Sequence, residues 1–235
     1  IEVAEKGVMG ISMNSSMSVD EELPSLLAKE MNRMEKASKM DGLIGVTSGF
    51  TTIYRVTGGW QEPDLIILAG RPGSGKTGLA VCLAVNAAKA GIPIGVFSLE
   101  MSSSQLITRM ISGESSVNSM KVRRAKMHDH EWQQVHGSLE RLSDLPLYLD
   151  DTPGVSLSYV RSKARRWVRK YGIKMVIIDY LQLMSSPAIK NKNREQEVAD
   201  ISKGLKILAK ELGIPVMPLS QLSRANELRG GSKRP

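Results

Sequence analysis

The sequence predicts an α/β fold: a mostly parallel, twisted sheet flanked by helices, with one further helix ahead of it. Three observations lead there. From Thr47 onward, apolar runs of strand length alternate with helical patterns. Repeated βα order is the mark of parallel strands joined by helical crossovers. One strand-to-helix turn is the glycine-rich Gly70-Arg71-Pro72-Gly73-Ser74-Gly75-Lys76-Thr77, a P-loop pattern that has meaning only between a strand and a helix.

Residues 1–22 are weakly patterned, rich in Ser, Met and Gly, and read as a flexible segment. Pro24 suits the first turn of a helix. Leu27, Met31 and Met34 follow at helical spacing, which predicts an amphipathic helix of about four turns, ended by Gly42. A methionine-lined stripe can adapt to a partner surface; the same stripe can fold onto its own domain, and pattern alone does not choose. The chain therefore divides into 1–42, a flexible segment and linker helix, and 43–235, the α/β domain. Strand-like runs are Leu65–Ala69, Ile92–Leu99, Pro146–Leu149, Lys174–Asp179 and Ile214–Leu219. Helical patterns cover Lys76–Ala90, Ser103–Ile111, Asp129–Leu142, Ser156–Tyr171 and Arg194–Leu212. In the last, Val198, Ile201, Leu205, Leu208 and Leu212 form one apolar stripe. Ligands of such sheets bind at the carboxyl ends of the strands.

Bulk properties narrow the function classes. Hydrophobic residues make up 41% and charged residues 24% of 235, which suits a globular core and excludes wholesale disorder. No apolar run approaches a membrane span, and the N-terminus has no signal pattern. A single cysteine, Cys82, excludes an internal disulfide and fits a reducing compartment; its helical, apolar context predicts a core position. The net charge of +8 suits a polyanion partner such as nucleic acid, although many basic proteins bind none. The chain starts at Ile1 and stops at GGSKRP, a basic glycine-rich loop without a closing element, and so reads as a piece of a longer protein.

The glycines of the P-loop pattern let backbone N–H groups converge on phosphate oxygens. The helix beginning near Lys76 adds the positive end of its dipole. Lys76 is placed to reach the β- and γ-phosphates, and Thr77 to offer a hydroxyl to Mg²⁺. In KMVIIDY, four apolar residues deliver Asp179 to the same edge of the sheet, where a carboxylate can hold Mg²⁺. Glu100 ends the run IPIGVFSLE. Placed on a strand neighbouring the P-loop strand, it can orient and deprotonate a water in line with the γ-phosphate; the bland alternative is a helix cap or a solvated strand end. VMPLSQLSR brings Gln221 to another strand end, within reach of the γ-phosphate, with Arg224 close behind.

Two basic segments leave that edge. AIKNKNR holds Lys190, Lys192 and Arg194, and ELRGGSKRP holds Arg229, Lys233 and Arg234. These cations can neutralise phosphates; any single one can equally be a solvated loop charge. With aromatics at 4%, the expected mode is tracking of the backbone rather than base stacking. VRSKARRWVRK (Val160–Lys170) is also basic, and its periodicity fits a solvated helix face around a buried Trp167. His128, His130 and His136 lie far from Cys82, which argues against a structural zinc site.

The order GRPGSGKT, SLEM, PLYLDDTPG, IIDYLQLM, NREQEVADISKGLKILAKELGIPV and LSQLSR resembles the RecA-like C-terminal motor domain of DnaB-type replicative helicases, over roughly residues 43 to 235. SGFTTIYRVTGGW (Ser48–Trp60) is similar to that family's opening segment. The resemblance implies a RecA-like P-loop NTPase working as a homohexameric ring that hydrolyses ATP with Mg²⁺ between subunits. It implies travel 5′ to 3′ on single-stranded DNA, primase and a helicase loader as partners, and the cytoplasm of a bacterium, whether host- or phage-encoded. Carried over by position, Gly70–Gly78 is the nucleotide-binding stretch, Lys76, Glu100 and Gln221 the catalytic set, and Thr77 and Asp179 the magnesium ligands. Gln221 is the γ-phosphate sensor. The helix after Pro24 matches the linker helix that packs on the neighbouring subunit. Arg229, Gly230 and Gly231 fall in or beside a loop that faces DNA. The chain departs from the family's usual Asp at Tyr54 and places Pro218 within the sensor strand, where it cannot donate a ladder bond. It stops before the family's arginine finger, a group worth about 10³–10⁵ in rate, and lacks the N-terminal domain that contacts primase. The 235 residues alone are therefore expected to hydrolyse ATP weakly. Two other readings stay open: a RecA-like strand-exchange or clock-type ATPase, and a non-catalytic ring component.

Overall fold

The computed structural model describes residues 22–39, 45–184 and 194–222. The chain divides into two units, Ile1–Ile44 and Gly45–Pro235. In the first, helix α1 spans Leu23–Lys39. Pro24 lies in its first turn, where a missing N–H costs nothing. Leu27, Met31 and Met34 are exposed along it, and Glu30 pairs with Arg33 one turn away. Gly42, the expected stop, lies outside the described residues.

The second unit runs α2 (Thr51–Thr57), β1 (Leu68–Gly70), α3 (Lys76–Lys89), β2 (Ile94–Ser98), α4 (Ser103–Ser115), α5 (Ser119–Arg124), α6 (Asp129–Ser143), β3 (Leu147–Asp150), α7 (Leu157–Tyr171), β4 (Met175–Asp179), a 3₁₀ turn (Leu181–Leu183), α8 (Arg194–Leu212) and β5 (Val216–Gln221). The strands form one sheet in the order β1-β5-β4-β2-β3, and every neighbouring pair is parallel. Every residue of β2 and of β4 is buried, as expected for central strands covered on both faces. One face packs under α7 and α8, through Trp167, Leu205 and Leu208. The other packs under α3 and α4, through Leu83, Ala84 and Leu106.

Each strand lies where the apolar runs predict, and β1 is the instructive exception. The pairing with β5 starts at Leu65, opposite Val216, yet the continuous strand begins at Leu68. Val216 N–H donates to Asp64, and Leu222 N–H donates to Gly70. By the alternation of the ladder, the donor that would face Ile66 belongs to residue 218. Pro218 has none, and the ladder is interrupted there.

Helix α3 corrects one expectation. Cys82 is exposed, not in the core. Its neighbours Ala80, Val81, Leu83, Ala84, Val85, Ala87 and Ala88 are buried. Cys82, Asn86 and Lys89 follow the helical period and make the narrow less-buried stripe of the helix; Asn86 donates to the Ser48 carbonyl and Lys89 pairs with Glu114 of α4.

Helix α7 matches its pattern. Val160, Ala164 and Trp167 are buried, and Arg161 and Arg165 reach Glu211 of α8. Trp167 stacks on Phe97 of β2 with ring centroids 4.7 Å apart. It also lies over Gly95, where a Cβ would come within 2.6 Å of Trp167 Cε3; glycine there is a requirement of the indole. α2 and α5, of seven and six residues, are too short to show a period and are not evident in the sequence.

Candidate nucleotide-binding site

The glycine-rich turn connects β1 to α3 as its spacing requires. Gly73 and Gly75 have φ of 73° and 86°, left-handed conformations that a Cβ would strain. Gly70 is needed for another reason: a Cβ there would meet Ser74 Oγ at 2.7 Å and Lys76 Cγ at 3.0 Å. Lys76 opens α3, and its Nζ donates to the carbonyls of Gly70 and Arg71 at 2.8 and 2.9 Å. The lysine is thus folded over the turn, with its charge at the helix N-terminus.

Glu100 follows β2 and lies at the mouth of a cleft of about 370 Å³. Lys76, Thr77, Glu100, Asp179 and Gln221 all line it. One expectation about Glu100 needs correction. Its strand does not neighbour the P-loop strand: β5 and β4 lie between β2 and β1. What brings Glu100 into the cleft is the adjacent β4. Ser98 pairs with Asp179, and Leu99 N–H donates to the Asp179 carbonyl at 2.7 Å. The turn is then fixed on its far side. Ser98 Oγ–H donates to the Met101 carbonyl at 2.6 Å, and Ser102 with Gln105 forms a reciprocal capping box at the start of α4. Asp151, just past β3, accepts the Ser103 N–H at 2.7 Å.

Asp179 carries the strongest electrostatic tension of the cleft. Burial pushes its carboxyl above the ordinary range. The Thr77 hydroxyl hydrogen-bonds it and opposes the rise, the Glu100 charge adds to it, and Lys76 and Arg109 oppose it. Ala84, Leu106, Met110 and Ile177 wall a small cavity beneath it, which accounts for the desolvation. Asp179 Oδ2 is buried and has no hydrogen-bond partner among the described residues. A buried, partnerless carboxylate oxygen beside a threonine hydroxyl suits a hard divalent cation. Together with a glycine turn opening a helix, the residues present fit a magnesium–nucleotide.

The other expected residues fall as follows. Pro72, Gly73 and Gly75 line the cleft. Arg71 and Ser74 belong to the turn without lining it, and Gly78 sits in the first turn of α3. Arg194 opens α8. Lys190, Lys192, Arg224, Arg229, Gly230, Gly231, Lys233 and Arg234 lie outside the described residues. Three lining residues are not given a role by the sequence: Met101 directly follows Glu100, Tyr180 directly follows Asp179, and Arg109 comes from α4. A cation nine residues beyond Glu100, off the Leu106–Met110 stripe of a helix starting at that strand's end, is the signal that could have marked Arg109.

A family model described as the DnaB-like helicase C terminal domain matches residues 45–235. The chain belongs to that family. This DnaB-like domain is 39% identical to the replicative DNA helicase DnaB of Geobacillus stearothermophilus, a match covering 100% of the chain and 52% of the relative. It is 38% identical to the replicative DNA helicase DnaC of Bacillus subtilis, over 99% of the chain and 51% of the relative. The chain thus spans about half the length of the curated relatives it matches. Among solved structures, one described as an ATPase domain superposes with a TM-score of 0.84 at 35% identity, covering 92% of this chain and 76% of that one. A DnaB-like replicative helicase, solved in a study of its interactions with primase, superposes with a TM-score of 0.79 at 34% identity, covering 100% of this chain and 56% of that one. The parallel five-stranded sheet and its flanking helices are accordingly a RecA-like α/β arrangement. Among the described residues, no helix is long and apolar enough to cross a membrane.

Proposed function

We propose that this chain is the ATP-hydrolysing motor of a replicative DNA helicase, and that Lys76, Thr77, Glu100, Asp179 and Gln221 perform the hydrolysis. The observation that carries the reading is the convergence of these five side chains, from the ends of four strands, on one cleft. Membership of the DnaB-like family supports it.

In this reading the backbone N–H groups of the Gly73–Gly75 turn and the Lys76 ammonium hold the β- and γ-phosphates. Thr77 and Asp179 hold Mg²⁺, which when bound neutralises charge on the phosphate oxygens. The Glu100 carboxylate orients a water and accepts its proton, because it is exposed at the cleft mouth while Asp179 is buried at its floor. Gln221 donates its side-chain amide to the γ-phosphate, and Arg109, which also lines the cleft, adds a cation.

The wider function follows from the family. Subunits form a homohexamer with ATP at their interfaces, α1 packs on a neighbouring subunit, and single-stranded DNA passes through the ring. Lys190, Lys192, Arg194, Arg229, Gly230, Gly231, Lys233 and Arg234 contact its backbone. Primase and a helicase loader are the protein partners. The net charge of +8 suits a ring that encloses a polyanion.

The test uses the full-length protein that carries this chain, with nucleotide binding, ATP turnover and displacement of a strand from a forked duplex as readouts. Lys76→Ala abolishes nucleotide binding, whereas Glu100→Gln retains ATP and loses both turnover and displacement. Equal loss of binding in the two variants overturns the role given to Glu100. Turnover without displacement by the wild type overturns the helicase reading.

A further inference from the structure

Gln182 lies within the IIDYLQLM run, but the sequence gives its side chain no role. It lies in the 3₁₀ turn immediately after β4, between Leu181 and Met184, which are both buried in the core. Its side-chain amide faces the backbone of β5. Gln182 Oε1 accepts the Gln221 N–H at 3.3 Å. Gln182 Nε2 donates to the Gln221 carbonyl at 3.2 Å and to Ser220 Oγ at 3.1 Å. A primary amide thus pairs, through acceptor and donor at once, with the N–H and the C=O of one strand residue.

The reason for the pairing is topological. The β4–β5 ladder ends at Ile178 opposite Pro218, and beyond it β5 continues beside β1, with Gly70 opposite Gln221. N–H and C=O groups of successive strand residues point alternately to the two sides. Leu222 N–H donates to Gly70 on the β1 side, so the peptide groups of Gln221 point to the β4 side. There the β4 backbone has already turned away at Tyr180. The Gln182 amide replaces the missing rung.

We propose that Gln182 is a positioning residue: it holds the Gln221 backbone so that the Gln221 side chain meets the γ-phosphate, and it ties that residue to the turn that follows Asp179. The inference rests on the role given to Gln221 above. A clamp that acts on the nucleotide through Gln221 affects what distinguishes ATP from ADP, because the γ-phosphate is the group that Gln221 serves. General loosening of the turn affects both nucleotides equally.

The decisive measurement is a double-mutant cycle in the full-length protein, reading steady-state turnover and the separate affinities for ATP and ADP. Gln182→Leu, which keeps bulk and removes the amide, lowers turnover about tenfold, as expected for loss of the hydrogen bonds that place one group. It leaves ADP affinity unchanged and narrows the preference for ATP. Gln221→Ala has the same signature, and the pair is no slower than Gln221→Ala alone. Gln182→Glu, which keeps an acceptor for the Gln221 N–H but loses the donor, is also slowed, so the test survives if the leucine variant folds poorly. Wild-type turnover in Gln182→Leu or Gln182→Glu, with Gln221→Ala slowed, overturns the clamp alone. Additive losses overturn it too, as does an equal fall in ADP affinity. Wild-type turnover in Gln221→Ala overturns the sensor role and the clamp with it.

Discussion

The Asp151 carboxylate accepts the backbone N–H of Ser103 at 2.7 Å, joining the end of β3 to the first turn of α4. That bond chiefly holds its carboxyl below the usual carboxylate range. Together with the Ser102–Gln105 capping box, it fixes the turn from which Glu100 projects and the helix that carries Arg109. Asp151→Ala is therefore expected to slow ATP turnover by about tenfold, since small misplacements of reacting groups are costly, while nucleotide affinity stays unchanged. Asp151→Asn keeps an acceptor and recovers most of the rate. Loss of affinity in parallel with turnover would assign Asp151 to general stability instead.

A second expectation concerns the tension at Asp179. Its folded pKa is raised, chiefly by burial, so the native state binds this proton more tightly than the unfolded chain does. Stability then falls as the pH rises from the ordinary 3.8 through the folded value, and the penalty is complete above it. Asp179→Asn removes a buried charge in a similar shape. It should raise the melting temperature at neutral pH by about 2–4 °C, the equivalent of about 1 kcal/mol for a chain of this size, while abolishing the magnesium dependence of nucleotide binding. A lower melting temperature in the variant would contradict this account.

Asp150 has the opposite sign. Burial pushes its carboxyl up, but hydrogen bonds from Thr152, Lys163 and Tyr159 more than offset this and hold it at about 2. Thr152 N–H reaches Oδ1 at 2.9 Å, while the Tyr159 hydroxyl and the Lys163 ammonium reach Oδ2 at 2.9 and 3.0 Å. The stabilisation is fully present above the ordinary 3.8 and is lost as the pH falls towards about 2. It amounts to up to about 2 kcal/mol. Denaturant midpoints of the wild type and Asp150→Asn should converge across that interval and stay separated at neutral pH.

Gly70→Ala tests the shape of the P-loop. Its methyl would meet Ser74 Oγ at 2.7 Å and Lys76 Cγ at 3.0 Å. The lysine must then leave the carbonyls on which it lies. Nucleotide affinity is expected to drop at least tenfold, read by titration with a fluorescent ATP analogue, with the far-ultraviolet spectrum unchanged.

Local chemistry explains what the sequence reveals of this fold and site. The P-loop is legible because strand, glycine turn and helix are contiguous, and Asp179 is legible because four apolar residues must end somewhere. The strand order is not legible: the sequence alone puts Glu100 beside the P-loop strand, and only the crossovers decide that β4 and β5 intervene. Arg109 and Gln182 escape notice for a related reason. Each acts across a gap between elements, and nothing in its own neighbourhood announces the partner. Cys82 misleads because an apolar helix buried on most sides still needs a wet stripe. The broken start of β1 is the converse case. Pro218 warns of a lost ladder bond, but which neighbouring strand loses it depends on register.

The stacking of Trp167 on Phe97 and Gly95 supplies the domain with its own optical gauge. The indole is buried against the strand that ends two residues before Glu100, so its emission is expected to be blue-shifted and, with Trp60 and Trp132 replaced by phenylalanine, to sense that strand without an added dye. Mixing the protein rapidly with nucleotide and following this signal would time any movement of the Glu100 strand against phosphate release.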